Sequence, residues 1–283
     1  MRSIGIMQGR LTPPKGRGIQ FFPFENWKQE FEIGAALELK EIEWIFDYER
    51  YADNPLWHSE GLKQINGAVQ TSGVKVNSVC FDYFMRRPFY KQSTSEEKAV
   101  LSENIEIVNH VIDGMNRIGA RLLEIPMVDD SSLKTAEERK RAIEFLQKVL
   151  IVADSAEIFV GLETDMPVGV FREFLEEIDN SRIRANYDSG NSSGLGYDHS
   201  EELHSLGEYV ANVHIKDRVF HGATVALGSG NADFDHLFAA LKDIGYNGSL
   251  ILQAARGQEG AEIDNISSQL SFVKNYCIKY GLE

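Results

Sequence analysis

Four polar side chains stand where apolar runs of the chain stop. Glu163 ends EIFVGLE (157–163), Asp188 ends RIRANYD (182–188), His214 lies in VANVHIK (210–216) and Gln253 ends SLILQ (249–253). Two carboxylates, an imidazole and an amide oxygen form a mostly oxygen-ligand set for one borderline divalent ion. Manganese is the first expectation, with magnesium, cobalt and zinc as alternatives. Each residue taken singly has an ordinary explanation: His214 as a satisfied core histidine, Asp188 as a turn residue before Gly190, Gln253 as a hydrogen bonder to a loop. Four donors at four successive strand ends argue instead for a shared ion. Glu163 carries the strongest individual case, because an unpaired carboxylate ending an apolar strand is costly to bury without a cation.

Other residues near these four could complete a reaction centre. Glu124, in RLLEIP (121–126), and Asp217, just after VHIK, are candidate general bases, with a plain salt bridge the competing reading of Glu124. Asn191, Lys216, Asp217 and Arg256 lie within a few residues of the ligands and are candidates for substrate contact. Arg10, Arg86, Arg87 and Arg256 fall in loops and could receive an anionic end, with solvated loop charge the competing reading of Arg86 and Arg87. Trp44 is a candidate sugar-stacking ring. Phe21, Phe22, Phe24 and Trp27 suit core packing of the first helix, and Phe81, Tyr83 and Phe84 could shape the same pocket or plug a dimer contact. The histidines at 58, 110, 199, 204, 221 and 236 read as surface or packing residues.

Eight apolar runs must position these groups: 3–7, 41–46, 74–81, 121–126, 157–163, 182–188, 210–216 and 249–253. Their near-continuous apolar character suits strands buried on both faces. The segments between them are helical in pattern. Leu101, Ile105, Val108, Ile112 and Met115 repeat at spacings of four and three, with Gly119 placed to stop the helix, and Thr94/Glu97 and Thr135/Glu138 have capping-box spacing. Strand followed by helix, repeated, implies parallel pairing, because parallel neighbours need a long crossover. The expectation is an α/β fold, a single (β/α)8 TIM barrel spanning 1–283 as one domain, with an open doubly wound sheet as the runner-up. In such barrels chemistry sits at the carboxyl ends of the strands.

The 283 residues are 43% hydrophobic and 25% charged, with a formal net charge of −14. That charge opposes nucleic acid and anionic membranes as general partners, but a local basic pocket could still hold a small anion. Two distant cysteines, Cys80 and Cys277, suggest neither a disulfide framework nor a thiolate metal site. No run reaches the length of a membrane span, and MRSIGIMQGRL lacks a signal-peptide apolar region, so a soluble cytoplasmic protein is expected.

The segments GIMQGRL at the start, DSGN (188–191), VHIKD (213–217), LGSGNADF (227–234) and YNGSLILQ resemble the xylose isomerase-like barrel superfamily. Within it they are most similar to the sugar phosphate isomerase/epimerase proteins, a group akin to the family 2 apurinic endonucleases. The resemblance covers nearly the whole chain. It implies metal ligands Glu163, Asp188, His214 and position 253, a sugar or sugar-phosphate substrate, and a homodimer or homotetramer. The chain departs from it at Gln253, where the similar epimerases have glutamate. Glutamine can coordinate through its carbonyl but cannot act as a base at neutral pH. A 3-epimerase of this family takes a proton with one glutamate and returns it on the other face with the second. The reading therefore favours 1,2-isomerisation through a cis-enediol, served by Glu163 alone. The competing classes are a metal-dependent endonuclease, disfavoured by the scarcity of strand-end histidines, and a non-catalytic metal- or sugar-binding barrel.

Overall fold

The structure, a computed structural model, describes residues 2–91 and 95–282. The barrel strands are β1 (Ile4–Met7), β2 (Glu41–Ile45), β3 (Ser78–Cys80), β4 (Leu122–Met127), β5 (Phe159–Thr164), β6 (Ile183–Asp188), β7 (Val210–Ile215) and β10 (Ser249–Leu252). They close in the order β1-β10-β7-β6-β5-β4-β3-β2, so the expected eight-stranded parallel barrel forms and the open sheet does not. A small antiparallel pair, β8 (Asp217–Arg218) with β9 (Thr224–Val225), was not anticipated from the sequence.

The helices are α1 (Trp27–Ala36), α2 (Ser59–Ser72), α3 (Tyr83–Arg86), α4 (Ser95–Ile118), α5 (Ala136–Ser155), α6 (Val168–Ile178), α7 (Ser189–Leu195), α8 (His199–Leu206), α9 (Phe234–Asp243) and α10 (Glu262–Tyr280). The capping box at Thr135 and Glu138 is present, with both reciprocal hydrogen bonds starting α5. Gly119 follows α4 with φ of 81°, the left-handed conformation that glycine adopts at little cost. The Thr94/Glu97 box lies outside the described residues. No helix among the described residues is long and apolar enough to cross a membrane.

The chain groups into two units. In the first (residues 1–44, 68–75 and 185–283), β1 pairs with β2 at Met7↔Glu43 and with β10 at Ile6↔Leu252. There β10 pairs with β7 at Ile251↔His214, and β6 with β7 at Asp188↔His214. Paired residues of a sheet face the same side and alternate with period two. Asp188 and His214 therefore share a face, and Gln253, two beyond Ile251, continues that face. Glu41 and Glu43 point one way along β2, whereas Ile42 and Trp44 point the other.

Trp44 is fully buried, its ring 5.1 Å from Phe22 and 5.4 Å from Trp27. It is a core residue under α1, which corrects its reading as a stacking ring for sugar. The third apolar run also differs: Lys75 makes only a single bridge to Glu41, and β3 proper begins at Ser78.

The second unit (residues 45–67 and 76–184) holds β3, β4 and β5. Glu124 pairs with Gly161, and Pro126 with Glu163, so Glu124 and Glu163 lie on one face of that sheet two residues apart. Its core is aromatic: Phe89 stacks on Phe145 at 4.1 Å and Phe84 meets Phe145 edge-on at 5.5 Å. Phe81, Tyr83 and Phe84 are fully buried there. They are packing residues, which corrects their reading as pocket or dimer-contact groups.

Candidate metal and catalytic site

In the first unit Asp188 and His214 are buried with Oδ2 and Nδ1 3.8 Å apart, and in the second Glu163 is buried near the end of β5. Two of the four donors expected from the sequence are thus brought together within the first unit. Gln253, 4% exposed, donates from Nε2 to Gln20 Oε1 at 3.0 Å, while its own Oε1 is buried without a hydrogen-bond partner. An orphaned buried carbonyl oxygen on the face shared by Asp188 and His214 is the feature a fourth ligand would present. The donor set fits a divalent cation: two carboxylates, a nitrogen and a neutral oxygen, buried where uncompensated negative charge is expensive.

Asp188 has a structural as well as a chemical role. Its Oδ1 accepts from Asn191 N at 2.8 Å and caps α7, so the DSGN segment is a helix start where the sequence suggested a turn. Its Oδ2 receives Lys216 Nζ at 3.1 Å and faces His214 Nδ1 at 3.8 Å. Burial pushes the Asp188 carboxyl up, but the Lys216 ammonium, His214 and the Asn191 amide outweigh burial and hold it well below the usual range. Lys216 reaches there because Gly190 has no side chain: a Cβ on Gly190 would lie 2.5 Å from Lys216 Cγ. Gly190→Ala is expected to displace Lys216 and destabilise the fold by about 1–3 kcal/mol, measured by thermal unfolding. Asn191, 5% exposed, accepts from Lys216 Nζ at 3.3 Å and from Arg218 at 3.1 Å.

His214 is fully buried, and its Nε2 lies 2.6 Å from Glu43 Oε1. Asn212 Nδ2 donates to the other Glu43 oxygen at 2.8 Å, and the Asn186 amide lies against the ring, 3.3 Å from Nδ1. Glu43, Asn186, Asn212 and Gln20 were not singled out from the sequence. For Glu43 a signal existed: EIEWIF places two glutamates at i and i+2 in an otherwise apolar run, which sets both on one face of a strand.

Three sequence candidates turn out to brace loops. The Asp217 carboxylate is fully buried and accepts from the amides of Gly228, Gly230 and Ala232 at 2.8–3.0 Å. With its lone pairs directed to three amides it clasps the 227–232 loop, which corrects its reading as a general base. The approach is so close that a Cβ on Gly230 would meet Asp217 Oδ1 at 2.3 Å. Arg256 donates to the carbonyls of Thr12 at 3.2 Å, Ile19 at 3.1 Å and Gly9, and it stacks on Phe21 at 4.8 Å. Arg10 donates to Ala254 O at 2.7 Å and is 4% exposed. Glu30 takes the opposite part in the same loop, accepting from the amides of Gly9 and Leu11 and the hydroxyl of Thr12. Arg86 is exposed, and Arg87 pairs with Glu103 at 2.7 Å.

Behind the Asp188 face, Tyr187, Ser192, His199 and Glu202 form a buried hydrogen-bonded cluster. Tyr187 Oη is 2.7 Å from His199 Nδ1 and 2.8 Å from Glu202 Oε2, and Ser192 donates to Glu202. Of the other histidines outside the site, His199 is buried and His58, His110, His204, His221 and His236 are exposed. Burial raises Glu30 and Glu202 each to about 7 and lowers His199 to about 4. A carboxyl raised in the folded state favours folding below its unfolded pKa and loses that advantage as pH climbs through the folded value. The depressed histidine acts oppositely, weakening the fold as pH falls from about 6.5 to 4. Two carboxyls against one imidazole leave a net loss as pH rises from 5 to 7.5, worth at most about 3 kcal/mol. Calorimetry in chelator is expected to show the melting temperature falling over that interval, with Glu202→Gln flattening the fall.

The family profile described as xylose isomerase-like TIM barrel matches residues 31–276, and the chain belongs to that family. Among curated relatives, the L-ribulose-5-phosphate 3-epimerase of Escherichia coli O157:H7 is 26% identical over 240 residues, covering 81% of this chain and 82% of its own. Among solved structures, a xylose isomerase domain protein from Planctomyces limnophilus superposes with a TM-score of 0.76 at 17% identity, covering 100% and 99% of the two chains. D-allulose 3-epimerase from Methylomonas sp., in complex with D-allulose, gives 0.74 at 14% identity, covering 98% of each. The similar proteins with named activities are thus sugar epimerases, which are isomerases in the broad sense, and at these identities the structural likeness shows the fold.

Proposed function

We propose that this chain, acting as one domain, interconverts sugars or sugar phosphates by moving a proton on the carbon beside a ketose carbonyl. The observation that carries the reading is the buried Asp188–His214 pair, 3.8 Å apart, with the orphaned oxygen of Gln253 on the same sheet face. Asp188, His214, Glu163 and the orphaned oxygen of Gln253 hold a divalent cation, manganese before magnesium, cobalt or zinc. Such an ion supplies Lewis-acid stabilisation of the charge that develops on an enediolate. Glu163 takes the proton from carbon and returns it. Lys216 and Asn191, already linked to Asp188, are placed to bind substrate oxygens.

Because Gln253 cannot titrate, one base serves one face of the substrate, and that supports 1,2-isomerisation through a cis-enediol. A second reading, inversion at C3, is supported by the activity named for the Escherichia coli relative and by Glu124, which shares a sheet face with Glu163 and could act from a second position. The acidic net charge supports a small-molecule substrate over nucleic acid, and two cysteines far apart in sequence, both buried, support a reducing cytoplasm. A homodimer or homotetramer is proposed from the resemblance alone.

The test is a panel of ketoses and ketose phosphates incubated with the Mn²⁺-loaded protein in D₂O. Deuterium at the carbon beside the carbonyl, with an aldose product, is the expected result. Clean inversion at C3 without a 1,2-isomer would replace the first reading by the second, and absence of exchange across the panel would leave a binding protein.

A further inference from the structure

We propose that Glu43 is the positioning residue that sets the tautomer of His214 and so aims a bare Nδ1 at the cation. A carboxylate can only accept a hydrogen bond, so the 2.6 Å contact between Glu43 Oε1 and His214 Nε2 requires the proton on Nε2. The neutral ring then presents Nδ1 without a proton, on the side facing Asp188 Oδ2 at 3.8 Å. A metal binds an imidazole nitrogen only when it is bare, so the hydrogen bond chooses the ligating atom. Glu43 is itself fixed: Asn212 Nδ2 holds its other oxygen at 2.8 Å, and both groups are buried, 0% and 2% exposed. The strand register explains why the geometry is rigid. Glu43 lies on β2 and Asn212 and His214 lie two residues apart on β7, so all three side chains are anchored to sheet backbone. A carboxylate locked this way also raises the basicity of the ring it holds, strengthening the ligand. This role rests on the metal site proposed above for its effect on affinity, but the tautomer is a property of the metal-free protein.

The test uses metal-free protein labelled with ¹⁵N-histidine and long-range ¹H–¹⁵N correlation at pH 8, with the His214 signals assigned by His214→Asn. Calorimetric titration with Mn²⁺ follows. The wild-type protein is expected to show His214 protonated on Nε2. Glu43→Gln, whose carbonyl still accepts from Nε2, should keep that tautomer and bind Mn²⁺ within a few-fold of wild type. Glu43→Leu should shift the ring toward the Nδ1-protonated form and weaken Mn²⁺ binding about 10- to 100-fold. If Glu43→Leu does not fold, Glu43→Asp, which withdraws the carboxylate by one methylene, should lose part of the Nε2-protonated population and bind several-fold more weakly. His214 protonated on Nδ1 in the wild-type protein, or an unchanged tautomer and affinity in Glu43→Leu, would overturn the proposal. Two Mn²⁺ ions per wild-type chain falling to one in Glu43→Leu would also overturn it, by making Glu43 a ligand. A wild-type protein that binds no Mn²⁺ but shows the Nε2 tautomer would remove the metal reading while leaving the orienting role of Glu43 standing.

Discussion

Replacing Glu163 with glutamine is expected to lower deuterium uptake from D₂O into a ketose substrate by about a thousandfold, with the fold retained. Glu163 lies on β5, 5% exposed, in register with Pro126 of β4. An amide of the same size fills the same space, so packing changes little, but no lone pair remains that can take a proton at neutral pH. Positioned general bases contribute roughly 10²–10⁴-fold, and the single-base route has no other group to take over. As the proposed ligand, Glu163 would also hold the cation more weakly once neutral, so the assay should be run at saturating Mn²⁺, confirmed by titration. Exchange at near wild-type rate in Glu163→Gln would move the catalytic role elsewhere, with Glu124→Gln the next variant to measure.

Gln253→Glu is expected to change the product. The wild-type side chain offers one orphaned oxygen and one N–H already given to Gln20. A carboxylate at that point can bind the cation more strongly and can also carry a proton. Under the one-base reading, the variant should gain C3 inversion at least about tenfold over the wild-type background while retaining 1,2-isomerisation. Chiral product analysis measures both. A wild-type protein that already inverts C3 cleanly, with Gln253→Glu making no difference to product, would show that the missing glutamate is immaterial and that another group supplies the second base. Gln20 would then face two carboxylate oxygens in the variant, and its amide would have to turn to donate, so Gln20→Ala in the Gln253→Glu background should have little effect on product.

The sequence disclosed the architecture because each barrel strand is a short apolar run and each crossover a helix with its own start or stop. Thr135 with Glu138 and Gly119 could be read one residue at a time, since caps and left-handed positions depend on neighbours in the chain. Glu163, Asp188 and His214 could be read as donors because polar residues ending buried strands are conspicuous. Asp217, Arg256 and Trp44 were misassigned for one reason: what a polar or aromatic group near a strand end touches is decided by distant segments. Asp217 meets amides eleven to fifteen residues on, and Arg256 meets carbonyls more than 230 residues earlier. Trp44 differs from Glu43 only in the phase of the strand, which its register against β1 fixes and its local sequence does not. Glu43 escaped notice because a carboxylate inside an apolar run is ordinarily a surface group, and only the closure of β2 onto β1 and of β7 onto β10 buries it with His214.

The loop after β1 is held from its two polar sides by partners far apart in the chain, its amides by Glu30 and its carbonyls by Arg256. A ribosome delivers these two partners far apart in time. The first loop therefore emerges with its amides answered early and its carbonyls without Arg256 until that residue has been made. Order in that segment comes late in biosynthesis, and a nascent chain stalled before residue 256 would expose it to proteases that the finished molecule resists.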